Sequence, residues 1–287
     1  MNKILLSKLL GLILSLSIIF FGLESSYSIL LFLIIMLTIG IPHGSVDHIV
    51  AFVNPEARRF KSKFIFYLVY LSLIIINMIL WIISPIIGLA LFLVISCYHF
   101  GETQVIGYHY TSNRVLNFVL GANILLSLFL NNIFELQEIL TVIPFFSDLD
   151  LSNFNRVFFL LVSVSVLMIS VINFHIKRKV PLYAEIMILY MVFYHTDLLT
   201  SFAIYFGFCH SLPMLILEFE EFNEKNILKF YLKTLPFTIL SLIFGLLLYL
   251  YDSNLFTNDN VILFIFIIIS SLTLPHVFIM KDFVKDK

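Results

Sequence analysis

The sequence predicts an all-α protein, a polytopic bundle of transmembrane helices. Hydrophobic residues make up 61% of its 287 residues and charged residues only 12%, whereas soluble domains average about 25% charged residues. The mean hydropathy is +1.05. Apolar runs of about 20 residues, the length that crosses a bilayer as a helix, follow one another along the chain. We therefore expect a single integral membrane domain over residues 1–287.

Ten apolar runs of helical length can be placed, although a count of eight or nine stays open. The fifth and seventh runs are short enough to be tilted or partial spans. The first run resembles a signal peptide but has no clear small-x-small cleavage site, so we expect it to be retained. In chain order the predicted helices are 5–23, 29–52, 64–83, 86–106, 115–130, 154–174, 180–193, 198–217, 230–250 and 261–280.

Lysine and arginine residues cluster at every second connection, which orients the bundle because positive loops stay in the cytoplasm. The intervening connections carry acids, among them Glu24 and those in 135–150. Ten helices with both termini in the cytoplasm fit this alternation. The net charge of −1 gives no reason to expect nucleic acid as a partner. The orienting charges include Lys3, Lys8, Arg58, Arg59, Lys61, Lys63, Arg114, Lys177, Arg178, Lys179, Lys225, Lys229 and Lys281.

Four histidines fall inside the apolar runs at a common depth. They lie on the second, fourth, eighth and tenth runs, roughly 6 to 14 Å from the predicted cytoplasmic ends at about 1.5 Å per residue. A polar group at such depth is costly unless it faces the bundle interior and has a partner. The pattern therefore predicts a metal site whose ligands are His43, His99, His210 and His276. The histidines for which we expect structural roles are His109, His175 and His195.

Acids accompany two of these histidines. Asp47 follows His43 by four residues and Glu102 follows His99 by three, so each acid shares a helix face with its histidine. Such a carboxylate could accept the second ring N–H and orient the imidazole, although both acids could equally be solvated at helix ends. His48 lies about 140° round the helix from His43, and we keep it as a reserve ligand. Imidazole ligands alone do not choose among Zn, Cu, Fe and Ni.

Four motifs, in this order, resemble those of the Brp/Blh family of bacterial and archaeal membrane proteins. They are PHGSVDH (42–48), HFGETQ (99–104), FGFCHSLP (206–213) and LPHVFIM (274–280), so the resemblance covers about residues 39–280. The resemblance implies a β-carotene 15,15'-dioxygenase, an Fe2+ enzyme that splits the central double bond with O2 into two retinals, commonly to supply a rhodopsin. It also implies a prokaryotic inner membrane, with membrane lipid as surroundings.

The family's iron-binding histidines match His43, His99 and His210. Many members carry a second histidine four residues after the one matching His210, where this chain has Met214. A thioether is a poor ligand for ferrous iron. The resemblance therefore leaves either three histidines and water, or a fourth ligand from His276, which its depth favours. Met214 would then line the substrate cavity.

Other classes of membrane protein stay open as alternatives. A hydroxylase or desaturase also binds iron through histidines, but it usually shows clustered HxxxH and HxxHH boxes, which this sequence lacks. A metal or proton transporter would distribute histidines and acids over several depths, and Glu185 and His195 are the residues that favour it. A haem-binding subunit needs only two facing histidines.

Overall fold

The computed structural model is helical, with no strand in the residues it describes, which confirms the all-α prediction for that part of the chain. It describes residues 3–22, 25–53, 60, 62–106, 108, 113–141, 143–173, 179–251 and 261–285. The elements are α1 (Lys3–Phe21), α2 (Ser25–Ile35), π1 (Met36–Gly40), α3 (Ile41–Ser45), α4 (Asp47–Val53), α5 (Lys63–Ile83), α6 (Pro85–Gln104), α7 (Arg114–Asn131), α8 (Ile133–Leu140), α9 (Pro144–Ser147), α10 (Arg156–Asn173), α11 (Lys179–His195), α12 (Leu198–Ile204), π2 (Tyr205–Ser211), α13 (Leu212–Glu221), α14 (Ile227–Tyr251) and α15 (Val261–Lys285).

Long apolar helices in the described residues indicate a membrane protein. Six have the length and composition to cross a bilayer: Lys3–Phe21, Tyr27–Phe52, Lys63–Ile83, Pro85–Gln104, Arg114–Asn131 and Leu198–Glu221. Shorter apolar helices are Arg156–Ser170, Val180–His195 and Ile265–Met280. The count of ten and the cytoplasmic termini stay predictions. Predicted residues that lie outside the described part are Glu24, Arg58, Arg59, Lys61, His109, His175, Lys177 and Arg178.

The helices group into two compact units, each built from separate stretches of the chain. The first unit consists of Met1–Gly40, Cys97–Leu136 and Leu149–Ile216. The second unit consists of Ile41–Ser96, Gln137–Asp148 and Leu217–Lys287. Each unit therefore depends on packing between helices that are distant in the sequence.

In the first unit, the end of α6 packs backbone to backbone against α7. A Cβ atom on Gly101 would lie 1.6 Å from the carbonyl oxygen of Asn117, and one on Gly121 would lie 1.7 Å from the carbonyl oxygen of Cys97. No side chain fits at either position, so this approach requires glycine on both helices. The contact fixes the helical turn that carries His99.

A buried ion pair also lies in the first unit. Lys8 Nζ is 3.4 Å from the Glu185 carboxylate and donates to the Gln104 carbonyl oxygen at 2.8 Å. The Gln104 side-chain amide and the Tyr108 hydroxyl donate to Glu185 as well. Lys8 is only 2% exposed, so the prediction that it is an orienting loop charge is wrong. The rule that lysines mark cytoplasmic loops does not consider that a nearby carboxylate can neutralise a buried lysine.

In the second unit, hydrogen bonds join α5 to α15. Asn77 Nδ2 donates to the hydroxyls of Ser270 at 3.0 Å and Ser271 at 3.2 Å, and Trp81 Nε1 donates to Ser270 at 3.0 Å. Such bonds satisfy polar groups that would be costly among apolar helices. They hold α15, which carries His276, against α5.

Two π-helical turns interrupt the helices that carry predicted ligands. The first, π1, ends at Gly40, three residues before His43, and the second, π2, contains His210. A π-helical turn holds an additional residue and is frequent at functional sites. The spacing rules of an α-helix therefore do not hold across these turns.

Candidate metal centre

The first unit brings together two of the predicted ligands, His99 on α6 and His210 in π2. Their ring centroids are 4.8 Å apart and their planes cross at 78°. The Thr103 hydroxyl lies 2.9 Å from His210 Nδ1 and donates to the His99 carbonyl oxygen at 3.1 Å. With its proton on that carbonyl, the hydroxyl can only accept a hydrogen bond from His210 Nδ1. His210 Nε2 then keeps a lone pair for a metal.

Aromatic rings enclose this pair. Phe100 and Phe206 lie with their ring centroids 4.5 and 5.3 Å from that of His210, and Tyr205 packs on Phe100 at 5.6 Å. All of these side chains are buried. The pair therefore lies in apolar surroundings, where a polar ring is stable only with a partner.

The second unit brings together the other two predicted ligands, His43 in α3 and His276 in α15. Their ring centroids are 4.5 Å apart and their planes cross at 86°. Glu218 Oε1 lies 2.8 Å from His43 Nδ1, and Asp47 Oδ1 lies 2.8 Å from His276 Nδ1. In its ionised form each carboxylate can only accept the Nδ1 proton, and in that state Nε2 of both rings is the metal-binding atom. All four side chains are buried.

Asp47 holds a different histidine from the one expected. The sequence predicted that it orients His43, but its Oδ1 binds His276 and its Oδ2 accepts a hydrogen bond from the Tyr70 hydroxyl at 2.8 Å. The reason is a break in the helix. Because α3 ends at Ser45 and Asp47 begins α4, the α-helical spacing behind the expectation does not apply.

Glu218 and Thr103 are contacts that the sequence reasoning missed. Glu218 lies in the acidic run LEFEEFNE, which is typical of a solvated helix end. Its partner His43 lies 175 residues away, so no spacing within one helix pointed to this contact. Thr103 follows His99 by four residues and so shares its helix face. A threonine in an apolar helix is by itself only a weak signal of a functional contact.

The reserve ligand His48 has other contacts. Its ring stacks on Phe237 with centroids 4.7 Å apart, and its Nδ1 lies 3.0 Å from the carbonyl oxygen of Ser45. Among the described residues, His48 does not belong to the group of histidines that could share a metal. These contacts assign it to the packing of α4 against α14.

Two further predicted residues have buried positions. Glu102 accepts a hydrogen bond from the Tyr98 hydroxyl at 3.3 Å, and its role in orienting His99 stays a prediction. Met214 on α13 is fully buried. Its place in a substrate cavity also stays a prediction.

The buried histidines form a four-histidine group that could hold a metal ion. Neutral imidazoles suit iron as well as zinc, copper and nickel. Histidine ligands usually donate their other ring N–H to a carboxylate or another acceptor, and three of these four have such a contact at Nδ1. The donor set therefore fits a metal-dependent oxygenase without choosing the metal.

A comparison with protein families decides which kind of protein has this arrangement. The family model described as Beta-carotene 15,15'-dioxygenase matches residues 34–283. The chain belongs to this family. The match includes the four paired histidines and all four quoted motifs, so the resemblance to the Brp/Blh family is confirmed. Searches of curated proteins and of solved structures gave no match.

In this member of the β-carotene 15,15'-dioxygenase family, neither residue that favoured a transporter belongs to the four-histidine group. Glu185 is bound by Lys8 and two neutral donors, so its charge is compensated within the first unit. His195 is exposed at the end of α11. The positions of these two residues therefore give no support to the transporter alternative.

Proposed function

We propose that this chain is an iron-dependent β-carotene 15,15'-dioxygenase. The family match over residues 34–283 carries the proposal, and the buried histidines support a metal-dependent form of the reaction. In this reaction the central double bond of β-carotene and the O–O bond both break. One oxygen atom ends in the aldehyde group of each retinal. Because O2 is reduced as the two carbon atoms are oxidised, no additional reductant is needed.

Fe2+ would be held by four imidazoles. The hydrogen bonds at three Nδ1 atoms support this assignment, because a ring that donates from Nδ1 binds a metal through Nε2. The bound iron would supply the redox chemistry that lets O2 react with a hydrocarbon. The proposed ligand atoms are Nε2 of His43, Nε2 of His210, Nε2 of His276 and a ring nitrogen of His99.

The other residues around the histidines orient them and exclude water. The overall reaction neither takes up nor releases protons, so Glu218 and Asp47 have no proton to exchange with the substrate. Their task is to hold His43 and His276. The rings around His210 exclude water, which limits side reactions of reactive species.

The location of the substrate fits this assignment. β-Carotene is a hydrocarbon that dissolves in the bilayer, and the long apolar helices indicate the same environment for the protein. A site among such helices receives its substrate from the side, without passage through water. The proposed setting is a prokaryotic inner membrane, with ten helices, both termini in the cytoplasm and a rhodopsin as the consumer of retinal.

The test is expression in cells that already make β-carotene, followed by chromatography of the extract. We expect retinal to accumulate and the orange colour to fade. Products of other lengths would show a different cleavage position. Unchanged β-carotene in cells that contain the inserted, iron-loaded protein would overturn the proposal.

A further inference from the structure

A groove between α5 and α14 lies in the second unit, beside the pair formed by His43 and His276. Its volume is about 330 Å3. None of its lining residues in the described part of the chain is charged, and three of the six are aromatic. The lining residues are Tyr67, Tyr70, Leu71, Pro236, Phe237 and Leu240. We propose that this groove binds one end ring of the carotenoid substrate, an inference that rests on the proposed function.

Aromatic side chains packed on one another line the groove. Tyr67 stacks on Phe237 with ring planes 18° apart and centroids at 6.1 Å, and Tyr70 meets the edge of Phe237 at 6.2 Å. His48 stacks on Phe237 at 4.7 Å and so fixes that ring. Rigid aromatic faces pack well against a conjugated, methylated hydrocarbon ring. A flexible lipid acyl chain gains less from such walls because it has to be ordered on binding.

The groove opens on the outer surface of its helices. Tyr67, Leu71 and Leu240 at its mouth are 37%, 46% and 50% exposed, and outer surfaces of membrane helices face lipid tails. Pro236 lies within α14, where it lacks an N–H and its ring disturbs the preceding turn. A ligand dissolved in the bilayer can therefore enter from the side.

The inner wall of the groove leads to a proposed metal ligand. Tyr70 is 5% exposed, its hydroxyl donates to Asp47 at 2.8 Å, and Asp47 accepts the Nδ1 proton of His276 at 2.8 Å. Tyr67 and Tyr70 lie roughly 6 to 11 Å along α5 at about 1.5 Å per residue. The predicted depths of His43 and His276 cover this range, so the polyene of a ring held here lies at the level of this pair.

The size of the groove limits what it holds. Ligand pockets range from about 300 to 1,000 Å3, and this groove is near the lower limit. It has room for one end of a C40 molecule and not for the whole. The remainder of the polyene therefore has to extend beyond the groove, as central cleavage requires.

The experiment fills the groove with a bulky side chain. Leu240→Trp and Leu71→Trp block it from opposite helices, and Leu242→Trp is the matched control. Leu242 lies on the same helix at 48% exposure, about 200° round from Leu240. Each full-length protein is purified without oxygen from β-carotene-producing cells. The measured quantities are β-carotene, phospholipid and iron per chain, and retinal formed after oxygen is admitted.

We expect the β-carotene bound per chain to fall about tenfold or more in both groove variants. Iron per chain should stay unchanged in them, and the control should match the wild type in both quantities. Wild-type carotenoid levels in both groove variants, or loss of phospholipid alone, would overturn the groove and leave the proposed function intact. A wild-type protein that neither binds β-carotene nor forms retinal would overturn the proposed function and the groove with it.

Discussion

The two histidine pairs have similar ring geometry and different outer hydrogen bonds. The rings of His99 and His210 lie 4.8 Å apart at 78°, and those of His43 and His276 lie 4.5 Å apart at 86°. Among the hydrogen bonds described above, a neutral hydroxyl bonds His210 of the first pair, whereas a carboxylate bonds each ring of the second pair. A hydrogen bond to a carboxylate raises the basicity of an imidazole as well as orienting it. We therefore expect the second pair to be the stronger donor for a cation.

The carboxylates also concern the balance of charge. An unpaired carboxylate is costly in apolar surroundings. If both were ionised in the proposed site, Glu218 and Asp47 would carry two negative charges, equal in size to the double positive charge of Fe2+. In the proposed site, the described hydrogen bonds would orient rings of both pairs, and Glu218 and Asp47 would place negative charge beside the second pair.

The largest effect is expected from removing any one imidazole. Replacing His43, His99, His210 or His276 by Ala should remove most of the bound iron and abolish retinal formation, because each ring would supply a ligand atom in the proposed site. Iron per chain is measured by elemental analysis of the purified protein. His195→Ala is the control, since His195 is exposed and belongs to neither pair. Equal iron in all of these variants would refute the four-histidine site.

A smaller effect is expected from the carboxylates of the second pair. Glu218→Gln and Asp47→Asn keep the size of the side chain but remove its charge, so iron retention should weaken by about 10- to 100-fold. Competition with a chelator measures this retention. Asp150→Asn is a suitable control because Asp150 lies exposed between α9 and α10. If the control and both variants retain iron equally, the carboxylates do not support the metal.

A still smaller effect is expected from the hydroxyl of the first pair. Thr103→Val removes one neutral hydrogen bond at His210 Nδ1. Such a bond contributes about 1 kcal/mol, which corresponds to roughly a fivefold change in iron affinity. The same chelator assay measures it. A loss as large as that of Glu218→Gln would show that the two pairs do not differ in strength.

The smallest effect on iron is expected at Met214. Met214→Leu conserves an apolar side chain of similar volume, so iron per chain should stay at the wild-type level while the rate of retinal formation changes modestly. Both are measured on the same preparation. Iron lost from this variant and retained in His276→Ala would show that the fourth ligand is assigned to the wrong helix.

The helices and the histidines were predictable from the sequence because each leaves a local signal. Apolar runs of sufficient length predict helices, and a histidine such as His210 inside one is conspicuous. The prediction for Lys8 was wrong because the local sequence around a lysine near the start of an apolar run does not show whether the side chain faces water or a buried acid. The acid in question, Glu185, lies 177 residues away.

The outer hydrogen bonds were less predictable because they join helices that are distant in the sequence. Glu218 is 175 residues from His43, and Asp47 is 229 residues from His276. The four-residue spacing within one helix predicted that Asp47 contacts His43. Because α3 ends between the two residues, they do not share a face of one continuous α-helix. Only the packing of the second unit identifies these partners.

The contact of α6 with α7 has a consequence for mutational screens. A random library scored by retinal colour would reject substitutions at Gly101 and Gly121 as strictly as substitutions of a ligand, because any side chain at these positions meets a backbone carbonyl less than 2 Å away. Colour alone would therefore show the same loss of activity at two chemically inert glycines as at His99. Protein abundance scored beside colour separates them, since a glycine variant is removed as misfolded protein and a ligand variant accumulates.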